Sequence, residues 1–340
     1  MPPTAEATGA VASTADALVG RARVARSGRL LRERNTEHVF RSLTLIAAIL
    51  VLLLLGGVVL SLVGGAWPAL RHFGFAFFTK EVWNPVTEHF GALAPIFGTV
   101  VTALIAMVVA IPAGFGVAVF LTELSPPMLR RPIGIAVELL AAVPSIIYGL
   151  WGLFVLAPLL QTSVQPWLIE HLSQLAFVGH LFTGPPYGIG VGTAGIVLAI
   201  MVLPYLTAVM RDVFETVPVL LKEAAYGLGA TTWEVLWNVV VPYARGGIIG
   251  GVMLGLGRAL GETMAVTFVI GNAHRINSSL LAPGTTISAT IANEFTEAVG
   301  DLYTSSLIAL GLVLMLITLA VIIGARLLLR RLERRQFSTV

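Results

Sequence analysis

Six long apolar segments constrain this chain more than any other feature of its sequence. They lie at approximately 42–63, 94–120, 133–160, 190–214, 245–272 and 303–329, and each supplies the roughly 20 residues that a helix needs to cross a hydrocarbon core of about 30 Å. Only 11% of the residues are charged, against roughly a quarter in soluble chains. We therefore predict an all-α, polytopic membrane protein with six transmembrane helices.

Lysine and arginine are distributed unequally over the segments that flank these spans. Seventeen belong to the N-terminal tail, to the regions between spans two and three and between spans four and five, and to the end of the chain. Only Arg71, Lys80 and Arg275 fall in the other loops. Because cytoplasmic loops carry the excess of positive charge, we expect both termini in the cytoplasm. Residues 1–41 are predicted to be a mobile tail and residues 330–340 a short basic tail.

A compact amphipathic helix-turn-helix is predicted at 219–242, between spans four and five. Gly227 and Gly229 are expected to end the first helix. Thr231, followed three residues later by Glu234, has the spacing of a capping box and predicts the start of the second helix, which Pro242 is expected to stop or bend. The apolar residues recur at helical spacing: Leu221, Ala224, Ala225 and Leu228 in the first helix, and Trp233, Leu236, Trp237 and Val240 in the second.

The fifth span carries two opposite charges inside an apolar segment. Gly251 and Gly255 are spaced for close helix packing, and Arg258 and Glu262 continue the same predicted stripe. A charge at the centre of a spanning helix costs about 2.5 to 3.5 kcal/mol on insertion scales, so both side chains must face protein or water. At i, i+4 they can pair with each other. Two interpretations follow: a stripe facing a pathway for an anion, or an ion pair that locks two helices together.

Three neutral side chains could add donors along such a pathway. Ser145 and Tyr148 lie in the third span, and Thr263 follows Glu262 in the fifth. Helix packing uses hydroxyl groups as often as binding sites do, so both roles stay open. The chain has no cysteine, which excludes a disulfide framework and a thiolate metal site.

The helix-turn-helix resembles the EAA motif of ABC importer permeases, the cytoplasmic element that docks on an ATP-hydrolysing subunit. The matching residues are Glu223, Ala224, Ala225, Gly229 and Pro242, while Val239 and Val241 stand where the family more often has Ile and Leu. Large apolar side chains suit such docking, and Trp233 and Trp237 supply them. The alternative interpretation is an interfacial connector between two spans.

Longer stretches are similar to the PstC-type permeases of bacterial phosphate-specific ABC importers. These are FGALAPIFGT at 90–99, AVPSIIYGLWGL at 142–153, GRALGETMAVTFVIGN at 257–272 and SSLLAPGTTISATIANEF at 278–295. The resemblance implies the type I ABC importer permease fold, a location in the bacterial inner membrane, and phosphate import by alternating access. In that family, Arg258 and Glu262 match a charged pair of the fifth span.

The same resemblance implies partners: a second permease of the PstA type, two PstB-type ATPase subunits and an extracytoplasmic PstS-type phosphate-binding protein. The sequence has no phosphate-binding loop of the form G-x-x-x-x-G-K-[ST], so we expect a transport subunit and not an enzyme. No cofactor is expected on this chain, with ATP and Mg²⁺ on the ATPase subunit. A permease for sulfate or molybdate, and a stand-alone ion-coupled carrier, remain as alternatives.

Overall fold

The computed structural model describes residues 5–175 and 178–337, and this part of the chain is almost entirely helical. One hairpin interrupts the helices, with β1 (Trp83–Asn84) antiparallel to β2 (His89–Phe90). The α-helices are α1 (Ala5–Phe73), α2 (Ala76–Thr79), α3 (Leu93–Val119), α4 (Pro127–Ala141), α5 (Ser145–Trp151), α6 (Ala157–Leu159), α7 (Gln165–Leu172), α8 (Val191–Glu215), α9 (Val219–Gly227), α10 (Thr232–Val235), α11 (Val241–Leu260), α12 (Met264–Ile270), α13 (Ile287–Glu294) and α14 (Asp301–Phe337).

Short π-helical turns join several of these helices into longer rods. They lie at Phe120–Leu124, Gly152–Leu156, Leu160–Val164 and Leu236–Val240, and a 3₁₀ turn lies at Gly179–Phe182. Six helical rods in the described residues are long and apolar enough to cross a membrane, as the sequence predicts. They are Val39–Phe73, Leu93–Leu124, Ser145–Leu172, Val191–Glu215, Thr232–Leu260 and Asp301–Leu327.

The chain divides into two compact units, residues 1–61 and residues 62–340. The predicted boundary at residue 41 has no counterpart in the secondary structure, because α1 runs without a break from Ala5 to Phe73. The segment before residue 41 is rich in alanine and arginine, which are good helix formers, and it contains no proline after Pro3. The mobility predicted for residues 1–41 stays a prediction.

The third predicted span, 133–160, is wrong as a single helix. It is divided between Ala141 and Ser145, where α4 ends and α5 begins. Pro144 is the reason, because its ring disfavours a helical conformation at the residue before it. The helical rod that starts at Ser145 then continues to Leu172, so the segment 161–189 is partly helical.

The fifth predicted span, 245–272, is also corrected at both ends. The helix begins at Thr232, so the second helix of the helix-turn-helix is continuous with the span. Pro242 does not stop it: the π-helical turn Leu236–Val240 comes just before the proline, and the helical rod continues through α11 to Leu260. At the other end α11 stops at Leu260 and α12 starts at Met264.

The glycine face of α11 packs against α8. A Cβ at Gly247 would lie 2.5 Å from Val213 Cγ1, and one at Gly251 would lie 2.8 Å from Val209 Cγ1. This confirms that the four-residue glycine spacing allows close helix approach. It also corrects the predicted stripe. The glycine face is occupied by α8, whereas Arg258 is exposed, although the next residue, Ala259, is buried. A residue at i+3 lies about 60° from the face that i defines, and here this rotation takes Arg258 off the packed face.

Candidate functional site

The helix-turn-helix predicted at 219–242 is present, and its turn has the predicted capping chemistry. The helix α9 ends at Gly227, and Gly229 has a positive φ of 88°. Thr231 and Glu234 form a complete capping box: the Thr231 N–H donates to Glu234 Oε2 over 2.8 Å, and the Glu234 N–H donates to Thr231 Oγ1 over 3.4 Å. The turn is therefore fixed by local bonds that the sequence specifies.

The outward face of this element, which we call the coupling face, is apolar and unusually exposed. Leu228 is 91% exposed, Trp233 67% and Trp237 43%. The predicted motif residues Glu223, Ala224, Gly229 and Pro242 are also exposed, and Ala225 is half-buried. Exposed apolar side chains gathered on one short element are typical of an interaction surface.

Two contacts tie the coupling face to the membrane helices. Lys222 Nζ lies 2.5 Å from Glu123 Oε1, and both side chains are shielded, at 17% and 6% exposure. The Trp237 ring is stacked near Phe115 of α3, with 5.9 Å between centroids, and Trp233 meets Trp237 edge to face. Beneath them Val235, Leu236 and Val240 are buried in the main hydrophobic core. A displacement of this element would therefore be transmitted to the end of the second span.

Arg258 and Glu262 do not pair with each other, contrary to the i, i+4 expectation. The helix ends at Leu260, so the spacing that would align the two side chains does not continue to Glu262. Glu262 Oε1 instead accepts from the Ala265 N–H over 3.3 Å, at the start of α12. The Arg258 guanidinium lies 5.5 Å from the centre of the Tyr205 ring, within cation–π range. Tyr205, on α8, is a residue that the sequence reasoning missed.

The other predicted pathway residues lie where two helices are interrupted. Ser145 begins α5 and Thr263 immediately precedes α12, and these two helices are in contact. A Cβ at Gly149 would lie 2.9 Å from the Met264 carbonyl oxygen, which shows how closely they approach. Interrupted helices near a bilayer midplane are a recurring feature of transporter binding sites.

The hydroxyl groups of these residues make local bonds. The Tyr148 hydroxyl donates to the Leu140 carbonyl oxygen over 2.8 Å and so bridges the break before α5, while Thr263 Oγ1 lies 3.4 Å from the Gly261 carbonyl oxygen. Tyr148 lines an apolar cavity of about 260 Å³ with Ile147, Trp151 and other residues. The other four predicted pathway residues do not line this cavity.

A polar cluster joins the hairpin to α13 and α14. The Glu294 carboxylate accepts from Trp83 Nε1 over 2.5 Å, from His274 Nε2 over 2.7 Å and from the Tyr303 hydroxyl over 2.8 Å. Burial alone would raise the pKa of Glu294, but these donors outweigh it and hold the pKa below its ordinary value of 4.5. No local pattern in the sequence marks this cluster, since its members are up to 220 positions apart.

Comparison with known proteins identifies the family. Residues 110–335 match the model of the binding-protein-dependent transport system inner membrane component. The phosphate transport system permease protein PstC of Mesorhizobium japonicum is 64% identical over 92% of this chain and 96% of its own length. The protein of the same name from Pasteurella multocida is 56% identical over 90% of this chain and 95% of its own length. The phosphate transport system permease protein PstC 1 of Mycobacterium tuberculosis is 37% identical over 79% of this chain and 86% of its own length.

The fold also matches a solved transporter. A chain in the crystal structure of a bacterial alginate ABC transporter, in complex with a periplasmic protein that carries an alginate pentasaccharide, superimposes with a TM-score of 0.53. The superposition covers 83% of this chain and 94% of that one at 16% identity, which shows the fold alone. The fold is that of type I ABC importer permeases, and the relatives are named as transport permeases, a non-enzymatic role. The chain belongs to the binding-protein-dependent transport system inner membrane components, and within them to the PstC-type permeases.

Proposed function

We propose that this multi-pass inner membrane protein is the channel-forming permease subunit of an ATP-driven phosphate importer. The substrate follows from the relatives, which are named phosphate transport system permeases along nearly the whole chain. None of the three relatives compared is named for sulfate or molybdate, or as a stand-alone carrier. The observation that carries the coupling mechanism is the exposed coupling face, which is anchored to the second span through Lys222 and Glu123.

An ATPase subunit is the partner that the coupling face fits. Its exposed tryptophans offer large apolar area at low conformational cost, and the capping box and the buried valines beneath keep it stiff. Closure of a pair of ATPase subunits would push this face and, through Glu123 and Phe115, the inner end of the second span. The result is alternating access, in which packed helices switch between two arrangements.

Arg258 is the residue proposed to offset the charge of phosphate. It is exposed on this chain, yet a charge within a spanning helix must face protein or water, so its surroundings are completed by a neighbouring subunit or a water-filled path. No carboxylate in the described part of the chain lies within 4.0 Å of it, which leaves the guanidinium available for an oxyanion. Glu262, Thr263, Ser145 and Tyr148 are proposed to shape the path around the two helix breaks.

The proposed assembly has a PstA-type second permease, two PstB-type ATPases and a PstS-type phosphate-binding protein, with both termini of this chain in the cytoplasm. The test is reconstitution of the complex in lipid vesicles, with labelled phosphate uptake and ATP hydrolysis measured in the same sample. Uptake that depends on ATP and on the binding protein supports the proposal. Phosphate crossing the bilayer with the ATPase subunit omitted contradicts it.

A further inference from the structure

We propose that a basic cavity between α4 and α8 binds a phosphate group, supplied either by the headgroup of an anionic phospholipid or by free inorganic phosphate. The cavity is separate from the predicted transport pathway. It lies at the ends of these helices that the charge bias predicts to be cytoplasmic. The proposal does not depend on which oxyanion the chain transports.

The cavity has a volume of about 310 Å³, which is ample for a phosphate group, and three arginines line it. Arg130 and Arg131 come from the first turns of α4, and Arg211 comes from the last turns of α8. Glu138 and Glu215 also line the cavity, so its lining carries three positive and two negative side chains. Guanidinium groups are the preferred partners for phosphate because they present several donors in a fixed plane.

Arg211 is fixed in place and still has an unused donor. Its Nη2 lies 3.0 Å from Glu138 Oε1 and 3.1 Å from Asp212 Oδ1. Gly134 allows this position, since a Cβ there would lie 3.1 Å from Arg211 Nη1. Arg211 Nε is buried and has no hydrogen-bond partner among the described residues, because Glu215 Oε1 is 3.9 Å away. A buried donor left unpaired calls for a missing partner such as an anion or water.

Arg130 and Arg131 carry the two guanidinium groups that no carboxylate pairs with in the described residues. Arg130 makes one long hydrogen bond, from Nη2 to the Ser125 carbonyl oxygen at 3.4 Å, and both side chains belong to exposed residues. Within the described residues neither arginine has a carboxylate within 4.0 Å, whereas Arg211 has three. The two free guanidiniums therefore face the cavity without a counterion.

The outer surface of α4 favours a lipid as the source of the phosphate group. Met128 is 88% exposed and Leu139 66%, and Leu129 and Ile135 are exposed as well. These apolar side chains flank the cavity where acyl chains would lie beside a bound headgroup. Basic pockets between membrane helices on the cytoplasmic side are a known setting for anionic headgroups. Inorganic phosphate offers the same oxygens without the chains, and the experiment separates the two.

The test uses the whole complex in nanodiscs of defined composition. One arm compares phosphatidylcholine discs with discs that also contain phosphatidylglycerol, and a second adds inorganic phosphate to the phosphatidylcholine discs. The variant is Arg130→Gln/Arg131→Gln, which alters exposed residues only. The matched control, Arg326→Gln/Arg330→Gln, removes the same charge from exposed positions of α14. Thermal unfolding and the number of lipids retained in native mass spectrometry are measured for each.

A lipid site predicts that phosphatidylglycerol raises the unfolding temperature of the wild-type and control complexes, and that the variant retains about tenfold less of this lipid. Such a factor corresponds to about 1.4 kcal/mol, close to the lower end of the roughly 1.5 to 3 kcal/mol of a charge-assisted bond. A free-phosphate site predicts that inorganic phosphate, and not phosphatidylglycerol, raises the unfolding temperature of the wild-type complex, and that the variant loses this increase. Equal responses of variant and control in both arms overturn the proposal, because surface charge alone would then explain any effect.

Discussion

Lys222 Nζ lies 2.5 Å from Glu123 Oε1, and this ion pair joins the first helix of the helix-turn-helix to the end of the second span. The two residues are 99 positions apart. Removing one partner of a shielded pair leaves an uncompensated charge, which costs about 3 to 5 kcal/mol. We expect Lys222→Met to lower the unfolding temperature of the complex markedly and to reduce the phosphate transported per ATP hydrolysed.

A double variant tests whether that loss comes from the pair itself. Lys222→Met/Glu123→Leu removes both charges, and we expect it to regain stability relative to Lys222→Met, because no buried charge is left alone. Thermal unfolding of the wild type, the two single variants and the double variant gives the interaction free energy between positions 123 and 222. Losses that simply add would contradict a direct interaction.

Gly229→Ala is expected to disturb the turn of the coupling element. Gly229 has a φ of 88°, which costs a residue with a Cβ roughly 1 to 2 kcal/mol. The matched control is Gly227→Ala, since Gly227 lies in α9 and a Cβ there meets no atom within 4 Å. ATP hydrolysis and uptake should become uncoupled in the first variant only. Normal coupling in Gly229→Trp as well would count heavily against a docking role for this turn.

Arg258→Gln is expected to reduce phosphate uptake by about ten- to a hundredfold at normal membrane abundance. Loss of a charge-assisted bond of roughly 1.5 to 3 kcal/mol accounts for that range. Tyr205→Phe keeps the ring beneath the guanidinium and should be nearly neutral, whereas Tyr205→Leu removes it and should weaken uptake. Unimpaired uptake by Arg258→Gln would exclude Arg258 from the pathway.

The Glu294 cluster is expected to lose stability in acid. The folded state holds the pKa of Glu294 below 4.5, so the stabilisation is fully present above about pH 4.5 and is lost as the pH falls through the lowered value. Glu294→Gln should cost about 2 kcal/mol near pH 7, because it weakens three charge-assisted bonds. It should also flatten the dependence of unfolding on acid pH. An unchanged acid profile in this variant would show that the cluster does not titrate.

Gly247→Ala is expected to destabilise the packing of α11 on α8 by about 1 to 3 kcal/mol, the usual cost of overpacking. Val213 is β-branched and cannot easily move from a Cβ that would lie 2.5 Å away. The neighbouring variant Gly246→Ala is the control, because a Cβ there meets nothing within 4 Å. Comparable thermal unfolding of the two variants would contradict the helix contact.

The sequence by itself determined the class of protein, the number of spans and the helix-turn-helix at 219–242. Each of these follows from local chemistry: apolar length for the spans, glycine at a positive φ and a Thr–Glu cap for the turn. The long stretches shared with PstC-type permeases likewise indicated the family before any fold was known.

Only the tertiary structure decided where helices break and which distant residues meet. The residues around Pro144 in span three are apolar, so hydropathy does not mark that interruption, and in span five Arg258 and Glu262 flank the interruption without fixing where the helix ends. The end of α11 at Leu260 separates Arg258 from Glu262, and packing places Tyr205 beside Arg258 and Glu123 beside Lys222. These pairings depend on how helices far apart in the chain lie against each other, which no local spacing encodes.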